Sequence, residues 1–133
     1  MDMRRVKSED ILIINEWFRT RKFPDMSNVL PSLGFVMEDE GAPIAACFAY
    51  RDIEGRVCWL GWLVTRPGLP PRKSASALKA LVSAAEHNLA QMGYPVIMAI
   101  GRKGLGNLFS GLSWQMGDRN INQYFKQIGG SHA

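Results

Sequence analysis

The residues best suited to chemistry lie between Leu63 and Leu81. An apolar run ends in Leu63, Val64 and Thr65. A loop containing Pro67, Pro70 and Pro71 follows, and a long amphipathic stretch begins through Arg72, Lys73, Ser74, Ala75, Ser76 and Ala77. A helix start carries backbone N–H groups without intrahelical partners, and its dipole favours negative charge, so this junction can hold an anion. Small side chains let a phosphate approach the backbone. Ser74 or Ser76 is suited to cap the helix, while Arg72 and Lys73 add charge-assisted hydrogen bonds. The expected chemistry is binding of a phosphorylated ligand. A plain strand-loop-helix with no ligand is the competing reading.

Other reactive side chains are sparse. Cys47 and Cys58 sit inside apolar runs, no Cys-x-x-Cys spacing exists, and His87 and His132 lie far from both. No metal site is expected, and buried free thiols fit a reducing, cytoplasmic setting. The run Val57 to Thr65 carries no carboxylate. Glu38, Asp39 and Glu40 fall beside a hairpin and are expected to be solvated, and His87, in mid-helix, to be packed or exposed. Trp59 and Trp62 straddle Gly61 and should face opposite sides of a strand, where either can pack in the core or line a cleft. Tyr124, on a late strand, can point to a cleft or to the core.

The elements that must position these residues follow from periodicity. Met3 to Val6 reads as an edge strand. Ser8 is placed as the N-cap of a helix whose stripe is Ile11, Ile14 and Phe18, widened by Leu12 and Trp17, ending before Pro24. Phe23 to Ser32 reads as a short helix or a loop. Gly34 to Thr65 reads as three consecutive antiparallel strands, with turns near Gly41 and Gly55. The last of them is apolar enough to be covered on both faces. The second helix buries Leu78, Leu81, Val82, Ala85 and Leu89 and stops at Gly93. Val96 to Ile100 reads as another buried strand and Leu105 to Trp114 as a short helix. Trp114 to Met116 and Ile121 to Lys126 are candidate final strands. Residues 1–128 form one mixed α/β domain, and 129–133 a frayed tail.

Composition agrees with a soluble globular domain: 133 residues, 47% apolar and 21% charged, with a net charge of +4. The excess of cations favours polyanionic ligands, though it is too small to argue for nucleic acid. The N-terminus lacks a signal-like hydrophobic stretch and no segment is long enough to span a bilayer. A homodimer is left open.

In its order of strand, helix, three antiparallel strands, phosphate loop, long helix, strand and short helix, the chain resembles the GCN5-related N-acetyltransferases. That family's signature is Arg or Gln, two residues, Gly, one residue, then Gly or Ala. Arg72, Ala75 and Ala77 stand at those positions, followed by Leu81. The resemblance implies a mainly antiparallel sheet flanked by helices, acetyl-CoA as co-substrate, and a small-molecule or protein amine as acceptor. It places the pyrophosphate at Arg72 to Ala77 and the thioester carbonyl against backbone N–H groups near Leu63, Val64 and Thr65. A second match is Asn107, Ser110, Trp114 and Gly117. There Asn107 falls at a cofactor-side position, and Trp114 replaces the tyrosine that often serves as general acid. An indole N–H donates hydrogen bonds but is no practical acid. A catalytically silent acyl-CoA-binding module and a nucleic-acid-directed member of the fold are the alternatives.

Overall fold

The computed structural model describes residues 1–99, 101, 103–118, 122, 124, 126 and 128. The chain runs β1 (Asp2–Arg5), α1 (Ser8–Thr20), β2 (Gly34–Asp39), β3 (Ala42–Arg51), β4 (Val57–Thr65), α2 (Pro71–Gln91), β5 (Val96–Ala99), a 3-10 turn (Lys103–Leu105) and α3 (Gly106–Gly111). The five strands lie in sheet order β1-β2-β3-β4-β5. The first three pairings are antiparallel, and β4 with β5 is parallel. Hairpins join β2 to β3 and β3 to β4. The parallel pair needs a crossover, which α2 supplies.

Alternation along the strands sorts the core into two layers. Phe35, Met37, Ala45, Cys47, Ala49, Cys58 and Leu60 face α2 and meet Ala77, Leu81, Val82, Ala85 and Leu89. Val36, Ala46, Phe48 and Val64 face α1 and meet Ile14, Trp17 and Phe18. Each fully buried leucine or isoleucine contributes roughly 1.5–3 kcal/mol by leaving water, so the two layers anchor both helices. Gly34 is required by close approach: a Cβ there would stand 2.7 Å from the Phe48 ring and 2.9 Å from Val6 Cγ2.

Several expectations shift. Lys7, not Ser8, is the N-cap of α1, and its own N–H donates to the Asp10 carboxylate at 2.7 Å. Leu12 is 75% exposed, because the stripe that faces the sheet is Ile14, Trp17 and Phe18. The segment 21–33 forms turns rather than a helix. It is pinned by Asn15, buried on α1, whose side chain accepts from the Met26 N–H and donates to Asp25. The strand β5 is not buried on both faces: Val96 and Met98 are exposed, and only Ile97 and Ala99 pack against the α2-side core. Residues 114–118 form no strand. The proposed strand over 121–126 and the tail over 129–133 fall on residues that lie, in whole or in part, outside those described.

Candidate functional site

The site begins with an irregularity in β4. Ala46 pairs with Val64 and Phe48 with Gly61, so two residues of β4, Trp62 and Leu63, stand opposite Cys47 alone. This is a β-bulge, and Trp62 takes φ +54° to make it. A left-handed conformation in an aromatic residue costs on the order of 1 kcal/mol and persists only where the surroundings impose it. Here the Trp62 Nε1–H donates to Tyr50 Oη at 2.9 Å, and the indole meets Phe18 and Phe23 edge-on at 6.1 and 6.4 Å.

The bulge has two consequences. First, it resets the alternation, so Trp62 joins the α1-side core with Val64. Trp59 alternates with Cys58 and Leu60, which face α2, and so lies on that same α1 side. The expectation of opposite faces fails because strict alternation does not survive an inserted residue. Second, β4 runs on to Thr65, past Leu60, which pairs with Ala99 at the end of β5. The Arg66 N–H donates to Ile44 O at 2.8 Å. Alternation from that bond turns Val64 toward β3 and leaves the Thr65 N–H on the edge facing away from it. Leu63 stands inside the bulge itself. The Thr65 hydroxyl accepts from Arg21 at 3.2 Å.

At the same end of β4 lies the start of α2. The helix begins at Pro71, three residues before Ser74, and neither serine caps it. Proline at the first helical position is favoured because its missing N–H would be unpaired anyway. Ser74 N–H already bonds Pro70 O at 2.9 Å. The free amides are consequently those of Arg72 and Lys73, while Ala75 and Ala77 lie within the helical ladder. Ala75 is exposed and Ala77 is fully buried against the sheet. The spacing Ala77, Leu81, Ala85, Leu89 is a four-residue stripe that marks Ala77 as a packing position. Arg72 is exposed, but Lys73 is not free: its ammonium pairs with Asp39 at the β2–β3 turn, at 2.5 Å. That hydrogen bond holds the Asp39 carboxyl below its usual range. The expectation that Asp39 is simply solvated is corrected, as is that for Glu38, which pairs with Arg4 at 3.2 Å.

The remaining candidates are scattered. Trp114 packs on Phe109 with ring centroids 4.9 Å apart, beside the α2-side core. Its Nε1–H is buried and has no partner among the described residues. Asn107 is exposed on α3 and Tyr124 is 86% exposed. His87 is exposed on α2. Burial pushes both the Cys47 and Cys58 thiols up, so neither is a ready nucleophile. No group of three or more His, Cys, Asp or Glu among the described residues is arranged to hold a metal. No described helix is long and apolar enough to cross a membrane.

Sequence reasoning missed Tyr50, Asn15 and the role of Trp62. Tyr50 ends an apolar strand and reads as ordinary β propensity; only its bonds to Trp62 and to Val29 O (2.8 Å) reveal it.

No protein-family model matches the chain, and no curated protein matches it in sequence. Solved structures do match it in shape. A putative acetyltransferase from Agrobacterium tumefaciens str. C58 superposes with a TM-score of 0.72 at 12% identity, over 94% of this chain and 100% of that one. The aminoglycoside N-acetyltransferase AAC(6')-Iy, in complex with the bisubstrate analogue CoA-S-monomethyl-acetylneamine, gives 0.71 at 14% identity, over 96% and 98%. N-acetylglutamate synthase from Neisseria gonorrhoeae, complexed with coenzyme A and N-acetyl-glutamate, gives 0.64 at 15% identity, over 84% of this chain and 27% of that one. At such identities the likeness is one of fold. The chain has the fold of the GCN5-related N-acetyltransferases.

Proposed function

We propose that this chain is an acetyl-CoA-dependent N-acetyltransferase acting on an amine. The observation that carries the reading is the bulge at Trp62 and Leu63 in the last stretch of a β4 that runs on to Thr65, with the start of α2 at that same end. Two of the fold's solved relatives, AAC(6')-Iy and the N-acetylglutamate synthase, were crystallised with CoA or a CoA analogue.

The residues present fit such a co-substrate. The free amides of Arg72 and Lys73, with the Arg72 guanidinium, would hold the pyrophosphate by charge-assisted hydrogen bonds. The end of β4 beyond Leu60 would take the pantetheine arm. The Leu63 and Thr65 N–H groups would donate to the thioester oxygen, which gains charge as an amine attacks, and donors already in place cost no reorganisation at that moment. Holding amine and thioester together supplies much of the remaining acceleration. Trp114 takes no part in proton transfer.

Calorimetric titration with acetyl-CoA, CoA and ATP tests the binding step, and thiol release in the presence of amines tests the transfer. Acetyl-CoA should bind at least tenfold tighter than ATP and raise the melting temperature by mass action. Equal affinity for ATP would reduce the site to general anion attraction. A second reading, an acyl-CoA-binding module without turnover, draws on the absence of any carboxylate or histidine from β4 and β5. Tight binding with no thiol release for any amine would select it.

A further inference from the structure

Beside the bulge, the α1 side of the sheet carries an open aromatic row. Tyr50 pairs across the strands with Trp59, and Trp59 with Met98. All three project to the side opposite Ala49, Cys58, Leu60 and Ala99, which pack toward α2. They remain 40%, 38% and 42% exposed, and none belongs to the cluster beneath α1. The Trp62 indole continues the row into that cluster through its bond to Tyr50 Oη. The row therefore crosses β3, β4 and β5 at the level of Trp59, next to the bulge on its N-terminal side.

The side chains of this row, Tyr50, Trp59 and Met98, are apolar or aromatic and uncharged. The Tyr50 hydroxyl is committed, donating to Val29 O and accepting from Trp62. None of the chain's twelve Asp and Glu lies on β4 or β5. The two that neighbour the face along the chain are engaged. Asp25 accepts from the Ser27 N–H and hydroxyl and from Asn15, and Asp52 accepts from the N–H groups of Glu54 and Arg56. Among the described residues no imidazole reaches the face either, because His87 is on α2, across the sheet.

We propose that the acceptor is a weakly basic amine on a flat apolar frame, an arylamine, bound against Tyr50, Trp59 and Met98. This rests on the acetyl-transfer reading above. An alkylamine like that of lysine has a pKa near 10.4, so only about one molecule in 2,500 is neutral at pH 7. The rest must lose a proton before attack, and the described residues of this face offer no base. Aromatic rings attract an ammonium ion, but an ammonium has no lone pair and such a complex would be unproductive. An arylamine is already neutral, and its ring would lie offset against Trp59 and Tyr50. In the step itself the amine lone pair forms the C–N bond, and the C–S bond breaks with its electron pair going to sulfur. A proton from nitrogen passes through water to that thiolate, giving amide and free thiol with no net proton change.

The test compares arylamines with alkylamines of matched size, by thiol release between pH 6 and 9, with acetyl-CoA affinity measured separately. At pH 7 the arylamine should show at least a tenfold higher kcat/KM. Its rate should be flat with pH, while the alkylamine rate climbs about tenfold per unit as free amine appears. Trp59→Ala should raise the arylamine KM at least tenfold with acetyl-CoA affinity and melting temperature unchanged, and Trp59→Phe should restore most of the loss. An alkylamine preferred with a flat profile overturns the proposal, as does an unaltered KM in Trp59→Ala. Acetyl-CoA binding without turnover of any amine also overturns it and leaves the acyl-CoA site standing. Failure of acetyl-CoA to bind removes both.

Discussion

The two long helices start with opposite charges. In α1 the first turn holds Glu9 and Asp10. The Asp10 carboxylate takes the Lys7 N–H at 2.7 Å and the Arg4 guanidinium at 2.7 and 2.9 Å, so the positive end of the helix is neutralised from within. In α2 the first turn has no acid, no side-chain cap and two cations, Arg72 and Lys73. A start built like that of α1 is complete without a ligand. The start of α2 leaves its free amides to water or to an anion from outside, apart from the claim that Asp39 makes on Lys73. On the function proposed above, the difference separates a structural helix from a binding one.

Arg72→Asp should remove the distinction most sharply. It would give α2 an internal acid in its first turn, like α1, and lower acetyl-CoA affinity about a hundredfold by losing a charged hydrogen bond and adding repulsion. The melting temperature should hold or rise slightly, since an acid there suits the dipole. Titration calorimetry paired with thermal melts checks it, and unchanged affinity would remove this turn from the phosphate site.

Asp10→Ala should break the other helix start. It leaves the Lys7 N–H and one side of Arg4 unpaired and should lower unfolding free energy by about 2–3 kcal/mol, with acetyl-CoA affinity intact. The bond from Arg4 holds the Asp10 carboxyl below its usual range. Its contribution is therefore complete above the unfolded carboxyl value near 4 and is lost as pH falls through the folded value. Urea unfolding from pH 7 to 3 should show a shallower acid loss in the variant than in the parent.

Asp39→Asn should have a smaller effect of opposite sign. It frees Lys73 for the ligand and should tighten acetyl-CoA binding about threefold at low salt, with the gain shrinking at high salt because exposed charges are screened. Weaker binding instead would mean that Asp39 positions Lys73 rather than competing for it. The mildest change is Pro71→Ala, which adds one backbone donor at the helix start. Affinity should rise twofold at most, and stability should change by under about 1 kcal/mol, since that first N–H lacks a helical partner in any case.

Much of the frame was legible along the chain. The three antiparallel strands, the long helix ending at Gly93 and the short edge strand follow from alternation, a four-residue stripe and glycine at a left-handed stop. Gly93 indeed takes φ +99°. The helix cap was misplaced by four residues or more because Ser74 and Ser76 are good caps in isolation, whereas the Pro70-Pro71 pair begins the helix without any side chain. The face of Trp59 relative to Trp62 was reversed because a bulge leaves no mark in periodicity. Nor does an acid reveal its partner: Asp39 and Lys73 are 34 positions apart, and only the fold brings them together.

What the sequence determined by itself is local: which segments bury apolar stripes, where turns and stops fall, and that cations gather where α2 begins. These depend on neighbours within a few residues. The tertiary structure decided the rest. It put a bulge at Trp62 and Leu63 and carried β4 on to Thr65. It also set Tyr50, Trp59 and Met98 in one row across three strands. Those features arise from register and from one inserted residue between strands, and register is a relation between distant segments that no single segment encodes.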